Sequence, residues 1–67
     1  MNLSVIIPCY NEVSSIEKVV KSVIDVIGDE GEIIIIDDHS ADGTRELLKK
    51  NIDGKLARVI YQDFNQG

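Results

Sequence analysis

Residues 32–44, EIIIIDDHSADGT, constrain this chain more than any other stretch. Four consecutive isoleucines leave no face for water, so residues 33–36 are predicted to form a strand buried on both sides, as in a parallel sheet covered by helices. The run passes directly into Asp37 and Asp38. In open α/β sheets, ligands bind in the crevice beyond the carboxyl ends of the strands, so the acidic pair stands where a ligand would be met. The same two residues, with Ser40, Asp42 and Gly43, also suit a turn that caps a following helix. Turn chemistry and ligand chemistry call for the same residue types here.

A strand buried on both faces needs helices on both sides, yet 67 residues can bury only about 60% of the surface their unfolded chain exposes. The chain is therefore expected to be the first part of a larger domain. Its net charge of −5 and its scattered seven Lys and Arg residues argue against nucleic acid as a partner. Cys9 is the single cysteine, so no internal disulfide is possible; it reads as a small buried hydrophobe in a reducing compartment. Residues 3–7 form too short an apolar run for a signal peptide or a membrane span.

The rest of the chain is read around that central strand. Residues 2–7 are mostly apolar and predict a first strand, which Pro8 is expected to stop by removing a ladder donor. Pro8-Cys9-Tyr10-Asn11-Glu12 then groups an aromatic ring, an amide and a carboxylate in one connector. Ile16, Val19, Val20, Val23, Ile24 and Ile27 recur at helical spacing as one apolar stripe. Ser14 with Glu17 forms a capping-box pattern, and Gly28 suits a left-handed position past the helix end. A second helix is expected from residue 42 or 43 to residue 50, with Leu47 and Leu48 inward. A third strand is expected over residues 57–61. The order β-α-β-α-β implies right-handed crossovers between parallel strands, a Rossmann-like α/β fold. Both connectors then lie beside one crevice.

Such a crevice, lined by acceptors and a flat ring, suits a nucleobase: the ring stacks, and a carboxylate of Asp38 or Glu12 accepts from its amino or imino groups. Neither G-x-G-x-x-G nor a Walker phosphate loop is present. Residues 38–43 resemble the opening of a calcium loop, but the twelfth position is Lys49 where a bidentate glutamate is required. His39 is the only histidine and has no cysteine or second histidine with which to form a zinc site. Ser40 and Thr44 suit helix capping better than nucleophilic attack, since no histidine base is in recognisable partnership with them.

Ser4-Val5-Ile6-Ile7-Pro8-Cys9-Tyr10-Asn11-Glu12, then Ile36-Asp37-Asp38-His39-Ser40-Ala41-Asp42-Gly43-Thr44, then Asn65-Gln66-Gly67 are similar to three successive motifs of family-2 glycosyltransferases with the glycosyltransferase A fold. Each is weak alone; in order and at these separations they are strong. Within the family, the chain looks most like dolichyl-phosphate mannosyltransferases and polyprenyl-phosphate sugar transferases. The resemblance implies transfer of a hexose from a nucleotide-sugar donor, such as GDP-mannose or a UDP-sugar, to an acceptor such as a lipid phosphate. By that similarity Pro8, Tyr10, Glu12, Ile36 and Asp38 would line the pocket for base and ribose, with Asp38 contacting the base, while Asp37 would brace the loop.

The resemblance covers nearly the whole chain, residues 1–67, but corresponds to only about the first third of such a catalytic domain. It also implies Mg²⁺ or Mn²⁺ held by an Asp-x-Asp motif that this chain does not contain; Gln62-Asp63-Phe64-Asn65 does not supply it. No catalytic residue and no metal ligand is therefore assigned within these residues, and the chain alone is expected to lack transferase activity. The implied location is the cytoplasm, at the cytoplasmic face of a membrane in a longer protein. The competing readings are a non-catalytic nucleotide-binding or protein-interaction module and, more remotely, a phosphoacceptor receiver domain. Receiver domains carry their acidic pair after the first strand rather than the second.

Overall fold

The computed structural model describes residues 3–62. Strand β1 (Leu3–Cys9), helix α1 (Ile16–Ile27), strand β2 (Gly31–Asp37), helix α2 (Thr44–Leu47) and strand β3 (Arg58–Tyr61) follow in that order. A 3₁₀ turn, Gly28–Glu30, joins α1 to β2, and a π-helical turn, Leu48–Ile52, prolongs α2. The strands form one parallel sheet in the order β1-β2-β3. This is the Rossmann-like α/β arrangement anticipated from the strand and helix periodicities.

Register explains how the sheet divides its side chains. Cys9 pairs with Asp37, and Asp37 with Tyr61; one residue earlier, Pro8 pairs with Ile36, and Ile36 with Ile60. Alternation therefore sends Cys9, Ile33, Ile35 and Asp37 to one face, where they meet Ile16 and Val20 of α1 and Leu48 and Ile52 beyond α2. Both helices pack on that face. Two successive crossovers of the same hand, each advancing the sheet in one direction, place their helices on the same side.

The expectation that the isoleucine strand is buried on both faces is corrected by this arrangement. Ile33 and Ile35 are buried, whereas Ile34 and Ile36 are half-buried and their neighbours Ile6 and Ile60 are exposed. Among the described residues nothing covers the second face. The strand is also longer than expected, because Gly31 and Glu32 pair with Leu3 and Ser4. Gly31 is required there: a Cβ would lie 2.6 Å from the Leu3 carbonyl oxygen.

Pro8 does not end β1, which continues through it to Cys9. The Cys9 carbonyl accepts from the Asp38 N–H at 2.9 Å, so Cys9 directs its polar groups toward β2 and the preceding Pro8 nitrogen faces the open edge. At that edge a missing donor removes no ladder bond. Residue 2, included in the expected strand, lies outside the described residues.

Helix α1 keeps the apolar stripe, except that Val19 is 41% exposed. Its cap departs from the expected capping box: Ser15 is the N-cap, with no side-chain cap bond. The carbonyl of Glu12 instead accepts from the N–H groups of Ser15 and Ile16, at 3.1 and 2.9 Å. Gly28 has positive φ, +58°, but ψ of −135° places it outside the left-handed helical basin. Helix α2 starts later and runs on further than expected. Asp53 N–H reaches back to the Leu48 carbonyl at 2.7 Å, a widened turn that keeps both Leu48 and Ile52 fully buried. Ala57 forms an isolated bridge with Asp53, and β3 begins at Arg58.

Candidate functional site

The connectors after β1 and β2 emerge from adjacent parallel strands and are tied together residue by residue. Asn11 N–H donates to Ser40 Oγ at 2.8 Å, and Ala41 N–H donates to Asn11 Oδ1 at 2.8 Å. Glu12 N–H donates to Thr44 Oγ1 at 3.0 Å, and Val13 N–H to Asp42 Oδ2 at 3.3 Å. Short polar side chains of the second connector thus satisfy consecutive backbone donors of the first. Asn11 and His39, the non-glycine residues with positive φ among those described (51° and 60°), sit one in each connector. Backbone held in this region costs of order 1–3 kcal/mol and clusters where loop geometry serves a site.

Asp37 is fully buried and anchors the second connector. Its carboxylate accepts from Ser40 N–H at 3.1 Å, Ser40 Oγ at 2.5 Å and Arg45 Nε at 2.6 Å. Burial alone would push the Asp37 carboxyl upward, but the donors of Ser40 and Arg45 outweigh it and hold it below the usual carboxylate range. The same Arg45 donates through Nη2 to the Gln62 carbonyl at the exit of β3 and lies 5.5 Å from the centroid of the Tyr61 ring. Asp42, one residue before the Gly43 N-cap of α2, accepts from Thr44 N–H at 3.0 Å and from the Thr44 hydroxyl, which hold its carboxyl below the usual carboxylate range. Gly43, at φ +96°, permits that tight entry.

The residues expected to line a pocket fall into two groups. Pro8 and Ile36 are register partners on the sheet face away from the helices, at its carboxyl end. Tyr10 and Asp38 come next in each strand's sequence, joined at the backbone through the Asp38 N–H to Cys9 carbonyl bond. Tyr10 is 48% exposed and Asp38 is half-buried. Glu12 is exposed, and one carboxylate oxygen accepts from Ser15 Oγ at 2.7 Å, which commits part of its acceptor capacity to the turn before α1. Cys9 is buried beneath this rim. Burial first, then the carboxylates of Asp37, Glu12 and Asp42, raise its thiol to about 11, as befits an inert packing residue.

Arg45 was not legible as a site residue. No local signal marks it, because its partner Asp37 lies eight residues away and the Gln62 carbonyl seventeen. Ser40 and Thr44 were expected as caps; the structure uses them as bridges between connectors. The motif Asn65-Gln66-Gly67 and the neighbouring Asp63 and Phe64 lie outside the described residues. Among the described residues no group of three or more His, Cys, Asp and Glu side chains could hold a metal ion, and no helix is long and apolar enough to cross a membrane. The described residues do not fit a divalent cation, and no chemical step is derived through one.

Residues 4–67 match the model of Glycosyl transferase family 2. Among curated proteins, the chain is 43% identical over 67 residues to a Bacillus subtilis protein named as a teichuronic acid biosynthesis glycosyltransferase, TuaG, covering 97% of this chain and 26% of that protein. It is 36% identical to the undecaprenyl-phosphate 4-deoxy-4-formamido-L-arabinose transferase of Edwardsiella ictaluri, over 96% of this chain and 21% of the relative. It is 41% identical to a poly-beta-1,6-N-acetyl-D-glucosamine synthase of Staphylococcus epidermidis, over 97% and 16%. The chain therefore spans about a quarter or less of the length of these relatives. No solved structure matches it.

Proposed function

Because the chain belongs to glycosyl transferase family 2, we propose that the carboxyl edge of its sheet is the nucleotide-binding part of an enzyme that transfers a hexose from a GDP- or UDP-sugar. The observation that carries this reading is the bonding between connectors, which brings Tyr10 and Asp38 to adjacent positions at the ends of β1 and β2. Tyr10 offers a partly exposed ring face for stacking, and Asp38 a carboxylate for a base's amino or imino hydrogens. Pro8 and Ile36 lie next to them as an apolar surface for base and ribose, and Glu12 keeps one carboxylate oxygen beyond its bond to Ser15.

The acceptor in this reading is a polyprenyl or dolichyl phosphate. Support comes from the Edwardsiella relative, whose name specifies undecaprenyl phosphate. Residues 1–67 are then the nucleotide-binding half of a longer family-2 domain that acts at the cytoplasmic face of a membrane. The reading expects Mg²⁺ or Mn²⁺ in the whole enzyme, with no ligand for it assigned among the described residues. The 67 residues alone would bind donor without transferring sugar.

Calorimetry with GDP, UDP, GDP-mannose and UDP-glucose tests the proposal, with Asp38→Ala as the decisive variant. Its nucleotide affinity is expected to fall by about 1.5–3 kcal/mol, the scale of a hydrogen bond to a charged group. Unchanged affinity would remove Asp38 from the base pocket. The open apolar sheet face favours a second reading, a protein-interaction module, which is supported if no nucleotide binds.

A further inference from the structure

The hydrogen bonds at the carboxyl edge form one continuous chain across all three strands. It starts at the Gln62 carbonyl after β3, passes through the Arg45 guanidinium to Asp37 at the end of β2, and continues through Ser40 Oγ to the Asn11 amide after β1. The Asn11 side chain returns it to Ala41. Within this chain Asp37 has no exposed surface, and the Arg45 side chain is half-buried, at 21% exposure.

We propose that Arg45 is a positioning residue: by holding the Asp37 carboxylate and the Gln62 carbonyl together, it sets the relative positions of the three connectors and hence the affinity of the edge for a nucleotide. The proposal rests on the nucleotide-binding reading for its last clause only. Arg45 is suited to this work by its planar fork, which gives Nε to one partner and Nη2 to another without rearranging. The Tyr61 ring beside its guanidinium adds a further restraint on its orientation. The Asp37 carboxylate accepts from Arg45 Nε at 2.6 Å, which fixes one arm of the fork. Neither Arg45 nor Asp37 needs to touch the nucleotide. Their effect travels through Ser40, whose hydroxyl donates to Asp37 while accepting from Asn11, so a shift of the Asp37 carboxylate moves the backbone next to Tyr10.

The test uses the full chain with amide hydrogen exchange and titration with GDP and UDP. In Arg45→Gln the Asn11 and Ala41 amides are expected to exchange about tenfold faster while the Ile35 amide in the core of β2 keeps its protection. Nucleotide binding is expected to weaken about tenfold. Arg45→Lys, which keeps the charge opposite Asp37 but lacks the fork that also reaches the Gln62 carbonyl, should recover little of the Asn11 protection. If Arg45→Gln does not fold, Arg45→Lys carries the test by itself: Asn11 should exchange faster than in the wild type with Ile35 unchanged. The proposal is overturned if Asn11 exchanges at the wild-type rate in the folded variants, or if it accelerates only in step with Ile35, which marks global destabilisation. A wild-type chain that binds neither GDP nor UDP defeats the nucleotide reading, and the exchange rates then decide the clamp by themselves.

Discussion

The two faces of the sheet carry similar aliphatic side chains and meet opposite surroundings. On the helix side Ile35 has no exposed surface and Ile33 only 3%; on the other side Ile6 is 59% and Ile60 46% exposed. Strand alternation distributes the isoleucine run evenly, so the difference arises from where the crossovers run, not from the strands themselves. The same alternation separates the acidic pair. Asp37 continues the helix-covered face and becomes a buried anchor, while Asp38 follows Ile36 at the rim of the open one. Two adjacent and chemically identical residues thereby end on opposite faces of the sheet.

This contrast can be broken most forcefully in the covered layer. Ile35→Ala should destabilise the fold by about 4 kcal/mol, since truncating a fully buried isoleucine costs about 2–5 kcal/mol; urea unfolding measures it. A cost under 1 kcal/mol would show that this face is not the core. Asp37→Ala should follow, at about 3 kcal/mol, because it leaves Arg45 facing a dry site; partial solvent access to Arg45 keeps the loss at the low end for a broken buried pair.

Acid provides a gentler route to the same anchor. The Asp37 carboxyl is held below its unfolded value, so as pH falls the unfolded chain takes up the proton first. Its contribution is complete above about 3.9, the ordinary aspartate value, and drains away as pH falls through the lower folded value. Unfolding midpoints across that window should fall with pH in the wild type and less steeply in Asp37→Asn. The smallest effect belongs to the open face: Ile60→Ala should cost less than about 1 kcal/mol in this chain, since much of that side chain already meets water. A loss as large as that for Ile35→Ala would mean that the face is covered in solution.

The element order was legible because apolar periodicity registers local geometry: period two and β-branching for strands, the three-and-four spacing for α1. Boundaries were less so. Pro8 reads as a strand breaker until its edge position is known, and the capping box of Ser14 and Glu17 gives way to the Glu12 carbonyl, whose approach depends on how the connector folds back. The π-helical turn that keeps Leu48 and Ile52 in the core has no counterpart in local propensity.

By itself, the sequence determined the strands, the parallel order and the edge at which polar connectors gather, since each follows from side-chain pattern and the handedness of L-residue backbones. That Asp37 braces the second connector was already implied by the resemblance; that Arg45 holds it, and that Ser40 and Thr44 bridge two connectors, were decided only in the tertiary structure. Those bonds join residues about thirty positions apart, and no local preference specifies a partner at that separation.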